Sequence, residues 1–310
     1  MRPVYFINGF LESGKSSFLK FTIAQDYFQI KGTTLLILCE EGEEEYDEKL
    51  LKKSKTVVEV LEDEEEFTVA KLMELEKKHS PERIVIEYNG MWNNKDLEFP
   101  FHWNIEQQIT CIDASTFASY FNNMKSMVAD MVRKSELIIF NRCDNVMDNL
   151  GVFRRNIKAV NAAADVVFEN AQGEINEIFE EDLPYDLKSD EIVLDDKSYG
   201  IWYLDMMDHI ERYLDKKITF VGMVMKAPNF PKDCFVPGRM AMTCCADDIA
   251  FLGFICKFGG AANLVNKEYV KVSVSVKKEY WADYKGEGPV LYALDVAKTS
   301  KPAEEVISFS

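Results

Sequence analysis

Short, nearly uninterrupted apolar runs recur through the first half of the chain. Residues 4–7, 34–38, 83–86, 109–112 and 137–140 each carry three or four apolar residues, without the alternation of a half-exposed strand. Between them lie segments with helical spacing. Phe18, Leu19, Thr22 and Ile23 mark one over residues 15–30, and Val69, Leu72 and Met73 mark another over residues 66–78. Strands buried on both faces, alternating with helices, predict an α/β fold with a mainly parallel sheet flanked by helices.

The pattern changes near residue 175. Residues 176–198 are acidic, contain Pro184 and show few periodic apolar positions, which predicts a linker. A helix is expected over residues 199–214, with Met206, Met207, Ile210, Tyr213 and Leu214 on its buried side. From Lys217 onward the period becomes two. Ile218, Phe220 and Val224 alternate with other residues, as do Val270, Val272, Val274 and Val276, and then Val290, Tyr292 and Leu294. With two further strands in residues 239–257, this predicts a small, mostly-β, OB-like barrel or sandwich. The expected organisation is an α/β domain over 1–175, a linker over 176–198, and a helix plus β domain over 199–310.

Charge narrows the partners. The 310 residues carry a formal net charge of −17, with a pI near 4.7. Such a surface repels phosphate backbones, which argues against nucleic acid and favours a metal cation or a basic protein. The N-terminus has no charged region followed by a long apolar stretch, and no run of apolar residues is long enough to span a membrane. Seven cysteines without framework spacing fit reduced thiols, so a cytoplasmic location is expected.

The first apolar run leads straight into Gly9-Phe10-Leu11-Glu12-Ser13-Gly14-Lys15-Ser16-Ser17. This is a P-loop pattern, with a strand before it and a helix after. Glycines let backbone N–H groups turn toward phosphates. Lys15 neutralises β- and γ-phosphate charge, and the Ser16 hydroxyl ligates Mg²⁺. Glu12, Ser13 and Ser17 belong to the same loop. Asn141-Arg142-Cys143-Asp144 follows the fifth run and is similar to the guanine-reading NKxD signature, with Arg142 in the lysine position. Asp144 would accept hydrogen bonds from guanine donors that adenine lacks, and Arg142 would stack on the base. This favours GTP over ATP. A plainer role for Asp144 is an N-cap for a helix over 145–160.

These stretches together resemble the CobW-like GTPases. Besides the loop, Cys39-Glu40-Glu41-Gly42-Glu43 with Asp47 is similar to that family's switch segment, and Ile86-Glu87-Tyr88-Asn89-Gly90 to its Walker B stretch. Cys111-Ile112-Asp113-Ala114 and Val160-Asn161-Ala162-Ala163-Ala164 match two further family stretches in order. The resemblance covers residues 2 to about 168. It implies that Glu87 holds Mg²⁺ through water and that Glu40 and Glu43 lie in a segment responsive to the γ-phosphate. It also implies GTP/GDP binding, slow Mg²⁺-dependent hydrolysis and a link to metal homeostasis. No residue stands out as positioning the attacking water, so a partner or a nucleotide-dependent homodimer is expected to complete the site. One departure stands out. The family's CxCC motif is missing between the switch segment and the Walker B strand, where residues 58–66 carry carboxylates instead.

The second half resembles the YcgQ-type domain of bacteria. The stretches that carry this are residues 217–224, Phe230-Pro231-Lys232, and Arg239-Met240-Ala241-Met242-Thr243-Cys244-Cys245-Ala246-Asp247-Asp248. The resemblance implies a companion YcgR-type membrane permease. Cys244 and Cys245 with Asp247 or Asp248 could form a thiolate–carboxylate site for Zn²⁺, and Cys234 or Cys256 could add a ligand. Neighbours on a strand point to opposite faces, so joint ligation needs a turn there, and buried structural thiols are the plainer reading. Three functions stay open: a GTPase with metal cargo or a regulated permease, a GTP-switched docking module without cargo, and an ATP-using kinase or transferase. The leading expectation is the GTPase, with Lys15 and Glu87 as its catalytic groups.

Overall fold

The computed structural model describes residues 1–40, 46–175, 183–227, 230–242, 248–307 and 309. The chain divides into two compact units, Met1–Arg154 with Ala163–Glu177, and Arg155–Ala162 with Ile178–Ser310.

The first unit is built on strands β1 (Arg2–Asn8), β2 (Thr34–Leu38), β3 (Thr56–Val60), β4 (Arg83–Glu87), β5 (Trp103–Asp113), β6 (Leu137–Asn141), β7 (Asp165–Asn170) and β8 (Gly173–Glu174). Its helices are α1 (Lys15–Ala24), α2 (Glu48–Lys53), α3 (Val69–His79), α4 (Ala114–Asn123) and α5 (Lys125–Val132), and α6 (Leu150–Val160) spans the division at Arg154. The sheet order is β3-β2-β4-β1-β5-β6-β7-β8, parallel throughout except for β7–β8. The apolar runs are continuous because both faces are covered. Val4, Phe6, Leu35, Ile37, Ile84 and Ile86 enter one core, whereas Ile7, Leu36, Val85, Ile109 and Ile139 enter the other. In a parallel sheet every strand delivers its C-terminal end to the same edge, so the ends of β1, β2, β4, β5 and β6 converge there.

Several boundaries differ from the pattern-based expectation. α1 stops at Ala24 because Gln25 leaves the helix with extended backbone, and a single 3-10 turn, Asp26–Phe28, follows. α6 begins at Leu150, after two 3-10 turns (Cys143–Asn145 and Met147–Asn149), so Asp144 caps no helix. Met73 lies on the exposed side of α3, where Leu72 and Leu75 form the buried stripe.

The second unit contains β9 (Glu191–Val193), α7 (Ser198–Asp208), β10 (Lys217–Met225), β11 (Cys234–Met242), β12 (Ile249–Gly253), β13 (Cys256–Lys257), β14 (Tyr269–Trp281), β15 (Gly286–Lys298) and β16 (Val306–Ile307). Its pairings close a ring: β10 with β11, β11 with β13, β13 with β15, β15 with β14, and β14 back to β10. The β13–β15 pair is parallel and the others antiparallel, which gives an OB-like barrel. Three glycines allow the tight approach of its strands. A Cβ at Gly222 would meet Gly238 N at 3.0 Å, and one at Gly253 would meet Gly238 Cα at 3.0 Å. Trp202 of α7 is fully buried in the core, packing on Phe220 and edge-on to Phe254.

The linker expected over 176–198 is corrected in its second part. Residues 191–193 form β9 beside β10, and Ile192 and Leu194 are buried. Most of the acidity that suggested a linker lies outside this short strand, which carries one acidic residue, the exposed Glu191. The helix expected over 199–214 ends at Asp208, and a 3-10 turn, Ile210–Arg212, carries the chain on. Met207 and Leu214, expected inside, are exposed. Among the described residues, no helix is long and apolar enough to cross a membrane.

Candidate nucleotide site

β1 ends in a buried Asn8, whose side-chain NH2 donates to Asn94 Oδ1. The loop then turns through positive φ at Gly9 (147°), Glu12 (58°) and Gly14 (92°). Glycine is required at the first and last of these by contact as well as by backbone. A Cβ at Gly9 would lie 2.3 Å from Cys111 O, and one at Gly14 would lie 2.5 Å from Asn141 Nδ2. Gly90, just past the end of β4, also has to be glycine, because its Cβ would lie 2.6 Å from the Gly9 carbonyl, which accepts from Gly90 N at 3.0 Å. α1 starts at Lys15 with no side-chain cap at Gly14, so no side chain competes for its first-turn N–H groups.

Lys15 is 3% exposed. Its ammonium donates to Gly9 O (2.7 Å) and Phe10 O (2.8 Å) and pairs with Glu40 Oε2 (2.9 Å). Ser16 Oγ donates to Glu87 Oε1 at 2.6 Å, and Tyr46 OH donates to Glu87 Oε2 at 2.5 Å. Glu87, also 3% exposed, is thus held on both oxygens from two elements. Tyr46 is the functional-site residue that sequence reading missed. Its only signal was position, just beyond the acidic switch run. Asp47 caps α2 through Lys49 N (2.8 Å) and is not on the cavity lining.

The end of β6 closes the other side. Asn141 Nδ2 donates to Ser13 O at 2.7 Å, tying this strand to the loop. Arg142, at φ 54°, does not lie open for stacking. Its Nη1 donates to Glu12 O (2.8 Å) and to Asp113 Oδ2 (2.5 Å), because the left-handed turn aims its side chain at the loop and the start of α4. Asp113 also caps α4 through Ser115 N at 2.8 Å. Burial pushes the Asp113 carboxyl up, but hydrogen bonds from Ser115 and Arg142 outweigh it and hold the group below its usual range. Asp144 is exposed, with one carboxylate oxygen accepting from Ala171 N at 3.3 Å.

A cavity of 360 Å³ lies between these elements, lined by residues 11–17 of the loop, Glu40, Glu87, Asp113 and Arg142. The residues fit a nucleoside phosphate. Among the described residues, the buried Ser13 Oγ and Asn141 Oδ1 have no partner, and the lining offers one buried ammonium and an uncapped helix start. They also fit Mg²⁺, because Ser16 and Glu87 present hard oxygen donors side by side.

Among the predicted site residues, the structure brings together Gly9, Glu12, Ser13, Gly14, Lys15, Ser16, Ser17, Glu40, Glu87, Asn141 and Arg142. Asp144 stands outside the cavity lining. Glu43 lies outside the described residues, as do Cys244, Cys245 and Asp247. Cys234 and Cys256 are buried on adjoining strands, and burial pushes the Cys256 thiol up to about 12. Cys39, Cys111 and Cys143 are likewise buried and their thiols raised, Cys143 to about 11. They read as packed thiols. His79 and His102 are engaged by Glu59 (2.5 Å) and Glu76 (2.7 Å). Among the described residues, no group of three or more His, Cys, Asp or Glu side chains is placed to hold a metal.

Residues 3–168 match the profile of the CobW/HypB/UreG nucleotide-binding domain. The chain belongs to this family of P-loop GTPases. Residues 170–307 match the DUF1980 C-terminal domain. No curated protein matches the sequence. Three solved structures are similar over part of their length. The hydrogenase maturation factor HypB from Archaeoglobus fulgidus is 13% identical, with a TM-score of 0.41 over 55% of this chain and 82% of that one. The Zn(II)-bound YjiA GTPase from E. coli is 20% identical, with a TM-score of 0.41 over 56% of this chain and 59% of that one. HypB from Helicobacter pylori in complex with nickel is 12% identical, with a TM-score of 0.38 over 55% and 79%.

Proposed function

We propose that the first unit binds Mg²⁺·GTP and hydrolyses it slowly. The observation that carries this reading is the meeting of Lys15, Ser16, Glu40 and Glu87 on one cavity under the Asn141–Asp144 turn. In this reading Lys15 exchanges its loop carbonyls and Glu40 for β- and γ-phosphate oxygens and takes up the charge that develops as water attacks in line. Ser16 and Glu87 would hold Mg²⁺, which when bound supplies further neutralisation of the phosphates. Asp144 supplies the acceptor for guanine, since an ionised carboxylate with one contact retains acceptor capacity. Arg142 works from the far side as a tie between Glu12 and Asp113.

The use made of hydrolysis is read from family kinship and from the resemblance of the second half. We assign it to metal homeostasis, with the second unit engaging a metal cargo or a YcgR-type permease. Single-turnover hydrolysis of GTP with Mg²⁺ and with EDTA tests the chemistry. Phosphate release that needs Mg²⁺ and is lost in Lys15→Ala is expected. Release that survives either change contradicts the assignment. Zn²⁺ titration of the reduced protein and of the Cys244→Ser/Cys245→Ser variant tests the cargo. Tight binding that depends on these cysteines and on the bound nucleotide is expected, and cysteine-independent binding or none removes the metal role.

A further inference from the structure

Charge is unevenly spread along the chain. Residues 1–215 contain 23 basic and 43 acidic side chains, whereas residues 216–310 contain 13 basic and 10 acidic ones. The barrel is therefore carried by the one of these two segments with a positive balance. Part of that charge gathers in one place. Lys216, Lys217, Lys277 and Lys278 line an open groove of 660 Å³, together with Leu214 and Leu294. Among the described residues, Asp215 is the only carboxylate on its lining.

Two further observations mark this groove. Ser273 pairs with Asp295 and Val274 with Ala293, so Leu294 is an extra residue in β15 with no partner on β14. Leu294 follows Ala293, which packs against the core, so it points outward, and the bulge then turns Val296 rather than Asp295 inward. Leu294 is 59% exposed, an apolar group presented among lysines. The second observation concerns the ring nearest the groove. Tyr292 has Lys277 Nζ at 4.5 Å and Lys257 Nζ at 5.0 Å from its centroid, and its hydroxyl donates to Glu279 at 2.6 Å. Its faces are occupied by cations, so it offers no stacking platform to a nucleobase.

We propose that this groove is a docking surface for an acidic polypeptide segment of a partner protein, with an apolar side chain of the segment seated on Leu214 and Leu294. Lys277 and Lys278 on β14, with Lys217 at the start of β10, face its carboxylates. Lys217 (2.9 Å from Glu191) exchanges one carboxylate for another on binding. Charge complementarity speeds encounter and sets register, and the leucines supply the desolvated contact. The overall charge of −17 keeps a polyanion such as nucleic acid at a distance, whereas a short acidic segment meets only the local field.

The test is a fluorescence anisotropy titration of the full chain with a labelled peptide of glutamate pairs separated by leucines. A lysine peptide of the same spacing and single-stranded oligothymidine serve as competitors. The glutamate peptide should bind, weaken with added salt, and lose roughly tenfold or more in affinity in Lys277→Glu/Lys278→Glu. Leu294→Ser should weaken binding without changing the salt dependence. Lys232→Glu/Lys301→Glu, exposed lysines outside the groove, should bind as the parent does. GTP hydrolysis should be unchanged in all three variants, and their far-UV circular dichroism and thermal unfolding should match the parent, which reports that the barrel folds. Absence of peptide binding, equal binding by the groove variant, or preference for oligothymidine would each overturn the proposal. So would salt-sensitive self-association, seen by sedimentation velocity and abolished by Lys277→Glu/Lys278→Glu, because the groove would then belong to a second copy of this chain.

Discussion

The most deeply buried cation of each unit, among the described residues, is held for a different end. Lys15 in the first unit is 3% exposed and Arg239 in the second is 2% exposed. Lys15 rests on two carbonyls of its own loop and on Glu40, at the floor of a 360 Å³ cavity, and every partner can be replaced by a phosphate oxygen. Arg239 pairs with Asp196 at 2.7 Å and donates to the Glu304 carbonyl, while its Nε has no partner. It ties β11 to the turn before α7 and to the C-terminal segment. Burial of a charge therefore does not mark a site by itself. What distinguishes Lys15 is a strained, glycine-dependent loop and open space beside it.

Breaking either cation should separate the two roles. The largest effect is expected from Arg239→Ala, which leaves Asp196 without its cation and should lower the free energy of unfolding by about 3–5 kcal/mol. Denaturant titration reads this, and GTP affinity measured well below the transition should hold. Arg239→Met should recover part of the loss, because an apolar side chain of similar length removes the desolvation cost. Lys15→Ala should do the reverse. Hydrolysis should fall on the order of 10²–10³-fold, with the denaturation midpoint little changed. A Lys15→Ala chain that unfolds as easily as Arg239→Ala would erase the contrast.

Smaller changes sharpen it. Tyr46→Phe removes one hydrogen bond to Glu87 and should shift the Mg²⁺ dependence of hydrolysis by about 0.5–1.5 kcal/mol, a severalfold change in the midpoint, while leaving stability in place. No shift in the midpoint would make Tyr46 a packing residue only. The smallest effect concerns pH. The Asp113 carboxyl is held below its usual range in the folded chain, so its contribution is present above about pH 4 and is lost as pH falls through the lowered value. Asp113→Asn should flatten acid unfolding in that window, and an unchanged profile would show that the Arg142–Asp113 pair adds nothing to stability.

The contrast also explains what could be read in advance. In the first unit, the sheet was legible because runs buried on both faces have no alternation to obscure, and the loop was legible because its residues are consecutive. Glu87 and Asn141 were found because each sits at the end of an apolar run. Tyr46 was not, because what makes it functional is a contact across 41 residues with Glu87. The contacts of Arg142 were not foreseen for a similar reason: its left-handed backbone, which sends the side chain to Asp113, leaves no trace in composition. In the second unit the period of two announced strands, but β9 was hidden because it is three residues long and lies within an acidic stretch. The lysine groove is assembled from residues 60 positions apart and from a bulge that no alternation rule reports.

The central claim is that this chain holds a guanine-selective nucleotide site built on Lys15 and read by Asp144. Isothermal titration of GTP and ATP in Mg²⁺, on the parent and on Asp144→Ala, tests it most directly. The account predicts that GTP binds the parent more tightly than ATP, and that Asp144→Ala loses about 1.5–3 kcal/mol for GTP while ATP is unaffected. Equal or tighter binding of ATP by the parent, or an unchanged GTP affinity in the variant, would contradict it.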